Sequence, residues 1–159
     1  MLRPFNRETP VVLRIKLLLG LALLLLASFA GAQNNLGELL DGGANKISAE
    51  EFRENVVQRT LVGPTLAGAR LELMYASSGV IQGRSTADVD GRNVAPTMPY
   101  ASIDGAWNID DKGRICTSMA IYRIILPFRC QYWFRLKDDY FIADSEDRSA
   151  KVLRRTVKQ

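Results

Sequence analysis

Between Phe128 and Lys137 the chain alternates without a break. Phe128, Cys130, Tyr132, Phe134 and Leu136 fall on one face of an extended strand, while Arg129, Gln131, Trp133, Arg135 and Lys137 fall on the other. A helix, with its 3.6-residue period, would scatter both sets around its circumference. The pattern predicts a half-buried antiparallel strand with its aromatic face turned inward. Cys130 ties this strand to its surroundings. Its only possible partner is Cys116, fourteen positions earlier, in the strand-like run Arg114–Tyr122. A disulfide between them would staple two strands across a connection that includes Pro127, a residue suited to a turn or strand start. Closing a loop of about 15 residues contributes about 3 kcal/mol through chain entropy. The rival role for the two thiols, a structural zinc site, wants four Cys or His ligands, and the chain has no histidine.

A disulfide requires an oxidising compartment, and the amino terminus predicts one. Arg3, Arg7, Arg14 and Lys16 precede the uncharged stretch Leu17–Ala32, which closes on the small-residue site Ala30-Gly31-Ala32. Basic start, apolar middle and small-residue cleavage site make a bacterial secretory signal. The alternative is a retained membrane anchor. Sixteen residues at 1.5 Å each give a helix of roughly 24 Å, short of the ~30 Å hydrocarbon core. Extending it through Val11–Leu13 would bury Arg14 and Lys16, which is costly. Cleavage near Ala32 and a periplasmic or secreted location are therefore expected.

Cleavage also changes the charge. The whole chain carries 21 Lys+Arg and 17 Asp+Glu; residues 1–32 hold four of the former and one of the latter, which leaves 17 against 16. A mature chain of net charge +1 gives little support for nucleic-acid binding, which usually needs a strongly basic domain. The 127 residues after Ala32 suit one domain.

Residues 33–46 are rich in Asn and Gly and read as a flexible leader with a short apolar patch at Leu36, Leu39 and Leu40. Ser48 and Glu51 have capping-box spacing, and Phe52 and Val56 share one face of a helix expected to end before Gly63-Pro64. Strands are then expected at Arg70–Tyr75, Val80–Arg84, Ala106–Ile109, Arg114–Tyr122, Phe128–Leu136 and Tyr140–Ala143. Thr86–Pro99 reads as a long loop or edge element, Asp110-Asp111-Lys112-Gly113 as a type I turn, and the pattern of Ala150–Val157 as an ambiguous last strand. The expected fold is α+β: one N-terminal helix packed on a twisted antiparallel β-sheet or small β-barrel with one disulfide, spanning residues 47–159.

With these pieces placed, Ala49-Glu50-Glu51 at the helix start, Gly105-Ala106-Trp107, Gly113-Arg114-Ile115-Cys116 and the later Cys130 in an aromatic-rich strand form a frame. That frame resembles a loose group of small exported proteobacterial proteins of unknown function, over roughly residues 46–143. The chain departs from the group at Lys137-Asp138-Asp139, where glycine is frequent, and in the apolar connection between its cysteines. The resemblance implies no activity.

The chemistry available to the chain is restricted. Without histidine there is no Ser-His or Cys-His nucleophile and no imidazole acid–base group. A Gly-x-Ser-x-Gly elbow, a Ser-x-x-Lys pair and a phosphate-cradling glycine loop are all absent from the sequence. Asp88, Asp90, Asp104, Asp110 and Asp111 are the only catalytic route, as a carboxylate pair, but each lies among turn formers that use Asp for local backbone bonding. The run Asp88–Asn93 fails as a calcium loop because its glycine comes early and Pro99 stands where the bidentate Glu belongs. Neither cofactor nor metal is expected.

Binding suits the chain better. With its aromatic face buried, the Phe128–Leu136 strand would project Arg129, Trp133, Arg135 and Lys137 together, a platform for sugars, anionic glycans or lipid headgroups. The competing expectation is an ordinary solvated sheet face. Ile121–Leu126 is too apolar for a common exposed loop and reads as core or as a contact surface. The function expected is an exported, non-catalytic binding module for a protein, glycan or lipid of the cell envelope, with the membrane met only during export. A small carrier with an apolar ligand in a barrel interior is the alternative, and a carboxylate hydrolase a distant third.

Overall fold

The computed structural model describes residues 34–65, 68–86, 100–122 and 124–159. Residues 1–33, with the expected export signal, residues 66–67, all but Thr86 of the loop expected over Thr86–Pro99, and Arg123 lie outside them. Residues 34–46 carry two ordered elements in place of the expected leader. Asn35 caps helix α1 (Leu36–Asp41) by accepting from the Glu38 N–H at 2.9 Å. Strand β1 (Asn45–Lys46) follows. The physical reason is the apolar patch, since Leu36 and Leu39 are fully buried. Backbone bonds from Leu36 to Ala150 and from Gly37 to Arg148, with an Arg148–Asp41 ion pair, fasten this helix to the far end of the chain.

Helix α2 (Ala49–Asn55) has the capping box that Ser48 and Glu51 predict. It ends earlier than expected, because Gln58 adopts a left-handed conformation (φ 67°) and reverses the chain. The residues read as the last helical turns instead form β2 (Thr60–Pro64), whose Leu61 and Val62 pair with Leu73 and Glu72. Long-range pairing overrides local helical spacing there.

The other strands lie close to their sequence positions: β3 (Arg70–Tyr75), β4 (Val80–Ser85), β5 (Ala101–Ile109), β6 (Ile115–Ile121), β7 (Ile124–Ile125), β8 (Arg129–Leu136), β9 (Asp139–Ala143) and β10 (Val152–Val157). Gly113, at φ 73°, closes the expected β5–β6 turn, and its N–H donates to the Asp110 carbonyl at 3.0 Å. All pairings are antiparallel, in the ring β2-β3-β4-β5-β6-β8-β9-β10, with β10 returning to β2. Among the described residues the fold is thus an eight-stranded barrel with two extra short strands and two short helices: the small barrel with one disulfide is as expected, and the chain is mostly β where α+β was expected. Among the described residues no helix is long and apolar enough to cross a membrane.

β7 and β8 are two parts of one long strand. Ile121 pairs with Ile124 and Ala120 with Ile125, but Thr117 pairs with Arg129 and Cys116 with Cys130, so one extra residue is absorbed at 126–128. Pro127, which has no N–H to offer a ladder, sits in that interruption. The Cys116–Cys130 disulfide lies directly below it and joins the paired strands β6 and β8.

The core has two parts. Inside the barrel, Phe52 of α2 fills the end where β2 starts and β3 finishes; its ring centroid is 5.4 Å from Tyr75, 5.3 Å from Trp107 and 5.0 Å from Trp133. These tilted and edge-on contacts are the arrangement aromatic quadrupoles favour. Outside the barrel, α1 lays Leu36 and Leu39 over Phe134, Phe141 and Ala143. β8 is therefore covered on both faces.

Candidate functional site

The double coverage of β8 redistributes the face read from sequence. Trp133 is only 3 % exposed and stands in the barrel core beside Phe52, so it is no surface platform. That is a correction with a clear cause: the residue set carrying the cations points into the barrel at its centre and emerges only at its ends. At one end Arg129 faces Asp144 (3.5 Å), and Gln131 donates to the same carboxylate at 2.8 Å. Six residues along, roughly 20 Å at strand rise, Arg135 and Lys137 emerge at the other end. Phe128, expected to be buried with the aromatic set, is 65 % exposed, because the interruption at 126–128 lifts it off the ladder.

Arg135 and Lys137 share a pocket of about 400 Å³ with Lys46, Glu51, Gly43, Asn45 and Ile47. Four elements build it. Gly43, at φ 90°, turns α1 into β1, and β1 pairs with β8 through Asn45↔Arg135 and Lys46↔Phe134. Ser48 then starts α2, bringing Glu51 to the rim. Lys137, in a left-handed conformation (φ 55°), begins the turn into β9, and its carbonyl accepts from Arg135 Nε at 2.9 Å. That bond ties the guanidinium to the turn.

The charges are unequal in their commitments. Lys46 Nζ donates to Glu146 Oε1 at 2.9 Å and lies 4.4 Å from the centre of the Tyr132 ring. The Glu51 carboxylate accepts from the Ser48 N–H at 2.8 Å, completing the helix cap. Arg135 and Lys137 have no ion-pair partner among the described residues. Among the described residues the pocket thus presents two cations without an ion-pair partner and one carboxylate occupied by a backbone N–H, while Lys46, paired across from Phe134, turns its ammonium to the outer face beside Tyr132 and Glu146. Sequence reading found Arg135 and Lys137 but missed Lys46, since nothing in its neighbourhood announces a two-residue strand that pairs ninety residues downstream.

Asp110 and Asp111 lie in the β5–β6 turn, whereas Asp104, expected beside a turn, stands within β5 paired with Gln82 and Ala120. Asp110 accepts from the Lys112 N–H at 3.1 Å and from the Arg114 N–H and Nε at 2.8 Å each. Desolvation raises its pKa, but the bonds from Arg114 and Lys112 outweigh this and hold the carboxyl below its usual range. Asp110, Cys116 and Cys130 are close enough to hold a metal ion, yet both sulfurs are in the disulfide and the carboxylate is taken by Arg114. Asp88 and Asp90 lie outside the described residues. The Ile121–Leu126 segment divides: Ile121 and Leu126 pack on the barrel core, whereas Ile125 is 80 % exposed.

No protein-family model, curated protein or solved structure matches the chain.

Proposed function

We propose that this chain is an exported, non-catalytic binding module that holds an anionic group, a carboxylate or phosphate of a cell-envelope partner, in the Arg135/Lys137 pocket. The observation that carries the reading is that Arg135 and Lys137, without an acidic partner among the described residues, line one concavity closed by β1 and the start of α2. Arginine supplies a planar fork for an oxyanion and lysine a mobile point charge. Export and cleavage near Ala32 belong to the same proposal, supported by the N-terminal pattern and by a disulfide that suits an oxidising compartment.

The test uses protein recovered from the periplasm of an expressing bacterium. Its intact mass should lack residues 1–32 and two further protons for the disulfide. Binding is measured to an oligogalacturonate and to phosphatidylglycerol vesicles, each over a salt series. Wild type should capture one of these probes and release it as salt rises. The double variant Arg135→Glu/Lys137→Glu should lose capture by at least about tenfold, the effect of about 1.4 kcal/mol, with its melting temperature unchanged. Equal capture by the variant, or none by wild type, would remove the pocket from consideration.

A further inference from the structure

Four of the six large hydrophobic side chains exposed among the described residues lie within residues 122–128: Tyr122, Ile124, Ile125 and Phe128. Their concentration has a cause in the β6–β7 ladder. The Leu126 N–H donates to the Met119 carbonyl at 2.8 Å, and pairing resumes at Thr117↔Arg129, so Pro127 and Phe128 together oppose Ser118. That is a bulge, and it turns Phe128 away from the barrel. Ile121, which belongs to the barrel core, faces Ile124. Strand alternation then sets Ile125, opposite Ala120, on the outer surface. Exposed apolar groups therefore lie on both faces of the hairpin, with Ile125 and Phe128 the most exposed.

Backbone, area and charge together choose the partner. An added strand is disfavoured, because Pro127 has no N–H to give and the bulge breaks the row of backbone groups along this edge. Area argues against a second copy or another protein surface. Ile125 and Phe128 offer roughly 300 Å², well short of the ~800 Å² each partner contributes to a stable interface. Their neighbours across β6 and β5, Ala120, Ser118 and Ala106, are small and add little. A bilayer needs no matching shape and surrounds both faces of a hairpin. The charge pattern permits entry: no Asp or Glu stands between Asp111 and Asp138, so the hairpin carries no carboxylate to dehydrate. Arg129, loosely paired with Asp144 at 3.5 Å, can keep its guanidinium at the level of the phosphates. Asp104, two strands from Ile125 in the Asp104–Ala120–Ile125 row, limits the depth.

We propose that the β6–β7 hairpin and its bulge seat the barrel on a phospholipid bilayer, with Ile125 and Phe128 entering the boundary between headgroups and acyl chains. Tyr122 lies beside them at headgroup level, where phenols are favoured. The attachment is reversible, since so few side chains hold less firmly than one acyl chain, itself a marginal anchor. Apolar burial drives it, so net-neutral phosphatidylcholine serves as well as an anionic lipid. This surface lies at the opposite end of β8 from the Arg135/Lys137 pocket and stands or falls independently of it.

The probe is a phosphatidylcholine vesicle, with binding read by sedimentation of the disulfide-bonded protein recovered from the periplasm. Wild type should be half-bound at roughly millimolar lipid and stay bound between about 0.05 and about 1 M salt. Ile125→Ser/Phe128→Ser should weaken binding by at least about tenfold, with its melting temperature unchanged. Arg135→Glu/Lys137→Glu should bind these vesicles as wild type does. Phe128→Trp should gain a blue-shifted emission with vesicles, quenched by lipids brominated on their acyl chains beyond any quenching of Trp107 and Trp133 in wild type. That variant decides if the serine variant fails to fold. No binding by wild type at ~10 mM lipid, equal binding by the serine variant, loss in the pocket variant, release by salt, or a Phe128→Trp emission that vesicles leave unchanged would each overturn the proposal. So would a wild-type dimer that the serine variant dissolves, since a second copy would then cover the patch.

Discussion

The two hydrophobic clusters on either side of β8 look alike in composition but differ in what they hold. The inner one is a ring of Tyr75, Trp107, Trp133 and Tyr140 closed around Phe52, drawn from α2, β3, β5, β8 and β9. The outer one is a two-leucine helix seated on Phe134, Phe141 and Ala143. Removing a piece from the inner cluster disturbs strands on every side of the barrel. Removing a piece from the outer one frees a helix of six residues that could not stand alone. The contrast shows why an apolar patch beside a polar run is hard to weigh from sequence. Its value depends on whether it serves as the hub of the closed sheet or as a cover laid on it.

Four experiments would break or sharpen that contrast. The largest effect is expected at the hub, where Phe52→Ala should cost about 3–5 kcal/mol and lower the single unfolding transition of the whole domain, measured by chemical denaturation. A second, partial transition would show that the plug and the barrel are separable. Replacing Cys116 and Cys130 together by Ser should cost about 3 kcal/mol by loosening the unfolded chain. The disulfide also lies where β6 and β8 share only three register pairs, so hydrogen exchange should rise first at that seam. Leu39→Ala, in the outer cluster, should cost about 2–3 kcal/mol. It should speed exchange of the α1 and β1 amides while leaving those of β3–β5 protected; uniform loss would join the two clusters into one core.

The smallest and most local test is alkaline. Burial pushes the Tyr75 phenol up to about 12, with Arg155 opposing. The unfolded chain loses this proton near its ordinary value of about 10. Between these values the folded state holds more protons than the unfolded one, so stability falls as pH rises from about 10 towards 12. Tyr75→Phe should flatten that part of the pH–stability curve, and an unchanged slope would show that Tyr75 ionises without unfolding.

Much of the barrel could be read along the chain. The alternation of Arg70–Tyr75 and Phe128–Leu136, the Gly113 turn and the Ser48/Glu51 capping box are patterns of neighbours, so they are legible in neighbours. The disulfide was equally plain, because two cysteines allow one pairing. What escaped shares a common cause. Thr60–Pro64 became a strand only because β10 and β3 flank it, and that strand closes the ring. Leu36 and Leu39 became core only because Phe134 and Phe141 present an outer face for them to cover. Trp133 stood among cations on a list of alternating residues, yet the curvature of the sheet put it inside. Lys46 joined Arg135 and Lys137 through a two-residue pairing with no local mark.

Sequence alone determined the residues that alternate, the turns that reverse them, the one covalent link and the absence of imidazole chemistry, because these follow from local sterics and from side-chain identity. Tertiary structure decided which face of each strand is inside, that the sheet closes, and that Arg155 is enclosed. Inside and outside are properties of a closed surface, and a strand acquires them only when its partners are in place.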